Sequence, residues 1–177
     1  MRGLVVAILG LVTACAAAAT PTPAAVTSAG AGPSPAHALI EAAADLDGRP
    51  VGALPPRGRA TVAVVFASWC THCRAELPVL AALAHDQPDV RILGLNYRGH
   101  EEYDGRGDAA AVRAFVAALA PWLRVVPTDD ALWSALGRPP KVPTIYVFDR
   151  GGRLVRTFDR RQGEVPTLAA LEGALPP

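Results

Sequence analysis

The sequence predicts an α/β sandwich, a central sheet with helices on both faces, and three observations carry that expectation. Residues 61–67 (TVAVVFA) form an unbroken apolar run rich in β-branched side chains, the pattern of a strand buried on both faces in the middle of a sheet. Stretches with apolar residues at helical spacing follow it, separated by a second extended run at 90–96 (VRILGLN). Two further extended runs, 144–149 (TIYVFD) and 153–159 (RLVRTFD), flank the turn Arg150-Gly151-Gly152 and predict an antiparallel hairpin.

Composition narrows the function classes. Lys and Arg number 17 against 16 Asp and Glu, a formal charge of +1 that fits neither a nucleic-acid footprint nor an acidic solvating tail. Hydrophobic residues make up 51% and aromatic ones only 6%, so the core is built mainly from Ala, Val and Leu. After residue 19 no apolar run reaches the roughly 20 residues of a spanning helix, which excludes a polytopic membrane protein. The 3 cysteines, Cys15, Cys70 and Cys73, are too few for a disulfide-rich scaffold.

Met1-Arg2 and the apolar stretch 3–12 (GLVVAILGLV) have the make-up of a signal-peptide core. Behind it, Val12-Thr13-Ala14-Cys15 resembles a bacterial lipobox, in which the cysteine sulfur takes a diacylglycerol. Residues 1–14 are therefore expected to be a signal peptide and Cys15 a lipidation site; an uncleaved anchor is the alternative. Residues 15–38, mostly Ala, Pro, Ser and Thr, hold too little apolar bulk for a core and predict a tether, with His37 as an isolated residue in it.

The folded part is expected over 39–177. Asp47-Gly48-Arg49-Pro50, closed by Pro55-Pro56-Arg57-Gly58, predicts an N-terminal β-hairpin over 39–53. After the strand at 61–67, a helix is expected over 74–86, with Leu77, Leu80, Ala81 and Ala84 on one face and Pro78 as a kink. The strand at 90–96 leads to a helix over 108–120 with Val112, Phe115, Val116 and Leu119 in line. A short extended piece at 124–126, a short helix at 129–136, the hairpin and a last helix over 165–175 complete the order. His85 and His100 read as solvated, Glu101-Glu102 as surface charge, and Trp122 and Trp133 as core or insert residues.

The chemistry is concentrated in Trp69-Cys70-Thr71-His72-Cys73, between a buried strand and a helix start. Two cysteines separated by two residues on a first helical turn can close a small disulfide ring, and the free N–H groups and helix dipole there favour a thiolate on the first. Cys70, nearer the helix end, is expected to be the accessible nucleophile and Cys73 the resolving thiol. A zinc site needs four ligands, and His37, His72, His85 and His100 supply no second ligand pair, so no metal is expected. A copper-carrying site would want three residues between its cysteines. Glu76 lies about one turn beyond Cys73 on the same face and can exchange a proton with it; an ordinary exposed helix Glu is the alternative.

The segment 66–78 (FASWCTHCRAELP) resembles the active-site segment of the thioredoxin superfamily, in particular the TlpA/ResA-like membrane-tethered thiol-disulfide oxidoreductases. Pro78, five residues after Cys73, matches that family's helix kink, and Val142-Pro143-Thr144 its cis-proline loop. Residues 47–51 (DGRPV) are similar to the N-terminal hairpin of that branch, and the stretch from about 99 to 129 to its insert. The resemblance implies a thioredoxin-like α/β/α sandwich with an N-terminal β-hairpin and a small α/β insert. It implies disulfide exchange with protein dithiols and disulfides outside the cytoplasm of a bacterial cell, at a membrane, with no cofactor and no nucleic acid. It further implies that a cis Pro143 sets the Val142 backbone beside Cys70, and that Trp69, Thr71, His72, Val142 and Pro143 meet the partner; a purely structural Trp69 and a simple strand-entry Pro143 are the alternatives.

Three positions depart from the family pattern. Val64 stands where thioredoxins bury an Asp, His72 stands where the branch often has Pro, and Pro139-Pro140-Lys141 lengthens the loop before Pro143 by one residue. TlpA/ResA-like proteins mostly reduce their partners, which is the leading expectation for direction. Thr71-His72 together with Val142 is instead similar to DsbA-type oxidants, so a disulfide-donating or isomerising role is the alternative. A thiol peroxidase would need Pro and Thr or Ser where Ala63 and Ala67 stand, and a metal chaperone would have to bind its ion through the reduced cysteines.

Overall fold

In the computed structural model, residues 32–53, 60–160 and 165–177 are described. The signal peptide, Cys15, most of the tether and Pro55-Pro56-Arg57-Gly58 lie outside the described residues. Strand β1 (Ala60–Phe66) is buried at all of its positions. A strand with no polar side needs neighbours on both edges and cover on both faces. It has both: β2 (Val90–Tyr97) and β4 (Thr144–Asp149) pair with it, β3 (Arg124–Thr128) lies outside β2, and β5 (Leu154–Asp159) lies outside β4. Strands β1, β2 and β3 run parallel, with Val62 opposite Ile92 and Leu95 opposite Val126. Strand β4 is antiparallel to both β1 and β5, with Ile145 opposite Val64 on one side and Phe158 on the other.

The parallel pairs require crossover connections, and helices supply them on one face. Val62, Val64 and Phe66 pack there with Leu80 and Leu83 of α2 (Thr71–Asp86), with Val112 and Phe115 of α4 (Ala109–Leu119), and with Leu171 of α6 (Leu168–Ala174). Ala63 and Val65 point to the opposite face. There they meet Ala36 and Ile40 of α1 (Pro35–Ala42) and Leu132 and Trp133 of α5 (Asp130–Ala135). A four-residue helix, α3 (Arg98–Glu101), follows β2 directly. Asp108, Asp129 and Thr167 accept hydrogen bonds from the Ala111, Leu132 and Ala170 N–H groups and so start α4, α5 and α6. No helix among the described residues is long and apolar enough to cross a membrane.

The expected N-terminal hairpin is reduced to one bridge, Ala44 to Pro50. The turn itself is present, with Gly48 at φ +78° and its N–H on the Asp45 carbonyl, but two further donors go to a side chain: the Asp45 carboxylate accepts the Asp47 and Arg49 N–H groups, each at 2.9 Å. The residues before it form α1 rather than a strand, and Ile40 carries that helix into the core. Helix α1 begins at Pro35, so His37 is not an isolated tether residue: its ring packs 5.3 Å from that of Phe148. Helix α2 begins three residues earlier than its apolar spacing indicates, because Cys70 caps it. Its buried stripe is Cys73, Glu76, Leu80 and Leu83, and a polar member disguised that stripe in the sequence.

Candidate active site

Beyond the end of β1, residues 67–70 turn the chain into α2, with the Cys70 N–H bonded to the Ala67 carbonyl at 3.1 Å. Cys70 occupies the cap position, and its sulfur accepts the Cys73 N–H at 3.1 Å. The two cysteines are joined as a disulfide across a Cα–Cα separation of 5.3 Å. The cap position places the Cys70 sulfur where unpaired N–H groups and the positive end of the helix dipole stabilise a thiolate on reduction. Exposure does not distinguish the pair as expected: Cys70 is 4% exposed and Cys73 3%. Orientation does, since Cys70 lines an open groove of about 650 Å³ whereas Cys73 lies on the buried stripe of α2.

The groove gathers most of the residues singled out in the sequence. Trp69, Thr71, His72 and Val142 line it with Cys70, and Pro143 is buried behind a cis Val142–Pro143 bond. The Val142 carbonyl oxygen lies 3.8 Å from the Cys70 sulfur. Trp69 is fixed by its indole N–H, which donates to the His100 and Glu101 carbonyls at 3.1 and 3.0 Å. The Arg106 guanidinium sits 5.0 Å from the centre of that indole.

Glu76 is 4% exposed. One carboxylate oxygen lies 3.3 Å from an Arg160 guanidinium nitrogen, and the other is buried without a hydrogen-bond partner. Burial pushes the Glu76 pKa up to about 7, outweighing the attraction of Arg160, which acts in the opposite direction. A carboxyl group one turn from Cys73 therefore gains and loses its proton near neutrality. Val64, buried in the same core cluster as Cys73, contributes no acid from β1.

The sequence reading missed a second carboxylate. Glu101, taken as surface charge beside Glu102, is 2% exposed. It accepts the Ser68 N–H at 2.9 Å, the Ser68 hydroxyl, and the Asn96 side-chain amide at 2.8 Å. Asn96 also donates to the Phe66 carbonyl at 3.2 Å, and Arg74 to the Ser68 carbonyl at 3.1 Å. This network ties the turn before Cys70 to the end of β2. Gly107 packs so closely on it that a Cβ there would collide with the Glu101 carboxylate. Glu102, at the C-cap of α3, stays outside and pairs with Arg98 at 2.8 Å. His100 is likewise not a freely solvated side chain. Its ring meets Trp133 edge-on at 4.7 Å, its Nδ1 is buried without a partner, and burial lowers its pKa.

No family model matches the chain. Over 46 residues, 26% of the chain, it is 44% identical to the thiol:disulfide interchange protein CycY of Rhizobium leguminosarum bv. viciae, and the match spans only about a quarter (24%) of that relative's length. Among solved structures, a secreted Mycobacterium tuberculosis disulfide oxidoreductase homologous to E. coli DsbE superposes with a TM-score of 0.59 at 22% identity, over 77% of this chain and 94% of that one. StoA from Bacillus subtilis gives 0.55 at 19% identity, over 75% and 92%. The exposed lipoprotein thioredoxin of Streptococcus pneumoniae gives 0.55 at 21%, over 74% and 93%. Fold and site together define a thioredoxin-like protein with a CxxC disulfide at the head of its first crossover helix. Over the short matched stretch its likeness is to a thiol:disulfide interchange protein, and over most of the chain its fold is that of the solved structures named above.

Two substitutions test the buried carboxylates. Replacing Glu101 by Ala strands the Ser68 N–H and the Asn96 amide, and should cost on the order of 3 kcal/mol in urea unfolding at an unchanged m-value. Glu76 acts through protons. Its folded pKa of about 7 lies above the ordinary 4.5, so between those values the folded protein binds more protons than the unfolded chain. Stability should fall as pH rises from 4.5 through about 7 and level off beyond. Glu76→Gln should remove that decline, as read from urea midpoints across the window; the same decline in wild type and variant would refute the assignment.

Proposed function

We propose that this chain is a protein thiol-disulfide oxidoreductase, exported, held at a bacterial membrane through lipid on Cys15, and passing electrons to disulfides of partner proteins outside the cytoplasm. The observation that carries the reading is the Cys70–Cys73 disulfide at a helix N-terminus with the Val142 carbonyl 3.8 Å from the Cys70 sulfur. That arrangement joins a reversible two-electron couple to a backbone acceptor for an extended partner segment. The exported and anchored location is supported by Val12-Thr13-Ala14-Cys15 behind its apolar core, and by likeness to proteins described as secreted or as an exposed lipoprotein.

In the reduced protein the Cys70 thiolate attacks one sulfur of the partner's disulfide. A Cys70–partner disulfide forms, and the partner's other sulfur leaves as a thiolate that takes up a proton. Cys73 then passes its proton to the Glu76 carboxylate and its sulfur attacks Cys70. The partner's second sulfur leaves, the partner has gained two electrons, and the Cys70–Cys73 disulfide remains for a dithiol donor to reduce. Thr71 and His72 at the helix end, Trp69 on one side and Val142 with Pro143 on the other form the surface that meets the partner.

One observation favours the opposite direction. His72 lines the groove beside Cys70, and an imidazole there stabilises the thiolate, hence the reduced form, which makes the couple more oxidising. His72→Pro should then shift the potential to more negative values by tens of millivolts in equilibration with glutathione buffers. An unchanged potential removes the case for an oxidant and leaves the reductant.

The exchange reaction itself is tested by trapping. Cys73→Ser should accumulate mixed disulfides through Cys70 on non-reducing gels, and Cys70→Ser should accumulate none; equal trapping by both variants would sink the assignment of roles.

A further inference from the structure

The groove around Cys70 carries a charge pattern that the exchange chemistry does not require. Arg106, Lys141 and Arg160 line it, and no carboxylate does so among the described residues. The chain as a whole has a formal charge of only +1, so three cations around one opening are a local concentration rather than a reflection of overall composition. Arg160 is partly offset by Glu76 beneath it. Arg106 and Lys141 are both exposed.

These two cations stand on different walls. Arg106 belongs to the segment after α3, where its guanidinium is held over the rings of Trp69 and Tyr103, 5.0 and 6.0 Å from their centres. Stacking of this kind fixes the orientation of a guanidinium and leaves its edge N–H groups free for an anion. Lys141 precedes Val142, whose carbonyl faces Cys70. A partner strand passing Cys70 thus meets a positive charge on the insert side and another on the loop side. Tyr103, 62% exposed, adds an aromatic surface without altering the sign.

We infer that the partner of this groove is an acidic protein segment, an extended stretch with Asp or Glu flanking its disulfide-bonded cysteine. The inference rests on the oxidoreductase reading and specifies the substrate class of that same site. At about 3.3 Å per extended residue, carboxylates about two positions to either side of the cysteine come within reach of both walls. Opposite charge placed this way raises the encounter rate and orients the segment, and like charge is rejected.

The test uses the full chain, pre-reduced, in single turnover against two synthetic peptides. Each carries one cysteine as a mixed disulfide with 2-mercaptoethanol, flanked two residues away on both sides by Asp in one peptide and by Lys in the other. The uncharged bis(2-hydroxyethyl) disulfide serves as a third substrate. The Asp peptide should react about tenfold faster than the Lys peptide at low ionic strength, with the ratio collapsing near 1 M salt, where the Debye length is about 3 Å. In the Arg106→Gln, Lys141→Gln double variant the ratio should fall to within about twofold, and Lys141→Glu should lower it as a single change. The ratio is internal to each variant, so partial loss of folded protein does not affect it. Equal rates for the two peptides in wild type overturn the acidic partner while leaving the oxidoreductase intact. A preference that survives the double variant overturns its assignment to these side chains. Failure to reduce even the uncharged disulfide removes the oxidoreductase reading and this inference together.

Discussion

Strand β1 has no polar side, and all of its residues are buried. A strand of that kind has to be central, and the cost of exposing either face dictates helices on both. With α2 crossing over to the parallel neighbour β2, the N-terminus of that helix has to fall just beyond the end of β1. The cysteines occupy that junction. Their electrostatic advantage, a sulfur among free N–H groups, follows from the sheet's need for cover. The site is therefore a by-product of a strand buried along its whole length.

Three of the buried charged groups are treated differently. Glu101 receives donors from Ser68 and Asn96 and serves as a fixed brace. Arg91, buried in β2, is held by Glu41, by the Thr61 hydroxyl at 3.0 Å and by the Val51 carbonyl at 3.3 Å, and fastens α1 to the sheet. Glu76 has one partner and one orphaned oxygen, and its pKa rises accordingly. A carboxylate that is fully satisfied holds structure, whereas one left incompletely satisfied can carry a proton. The difference lies in the number of donors each meets, which is a matter of packing rather than of residue type.

That distinction marks the boundary of what the sequence disclosed. The central strand, the order of the main helices and strands from it onward, and the cysteine pair at a helix head were legible, because each is written in local spacing. Glu101 was not, because nothing local separates it from Glu102; only the single turn of α3 and the close approach of Gly107 decide which one faces inward. The N-terminal hairpin misled for a related reason. Its turn residues were correctly placed, but the residues before the turn are wound into α1, which leaves only a short paired stretch around Ala44 and Pro50. Apolar spacing alone starts α2 three residues late, because a cysteine acts there as the cap, a position more often held by Ser, Thr, Asn or Asp.

The first described contact of the chain is a hydrogen bond from the Ser34 N–H to the Gly152 carbonyl, 2.8 Å, in the turn between β4 and β5. That turn adjoins Asp149, which pairs with Ala60 at the beginning of β1, whereas Cys70 follows the other end of the same strand. The chain thus enters the domain at one rim of the sheet and performs its chemistry at the opposite rim, roughly 20 Å away along the strand. An anchor placed ahead of Ser34 would act like a stalk attached to the base of a cup. Held from that end, the domain would present its redox rim outward, toward proteins approaching from solution rather than toward the surface behind it.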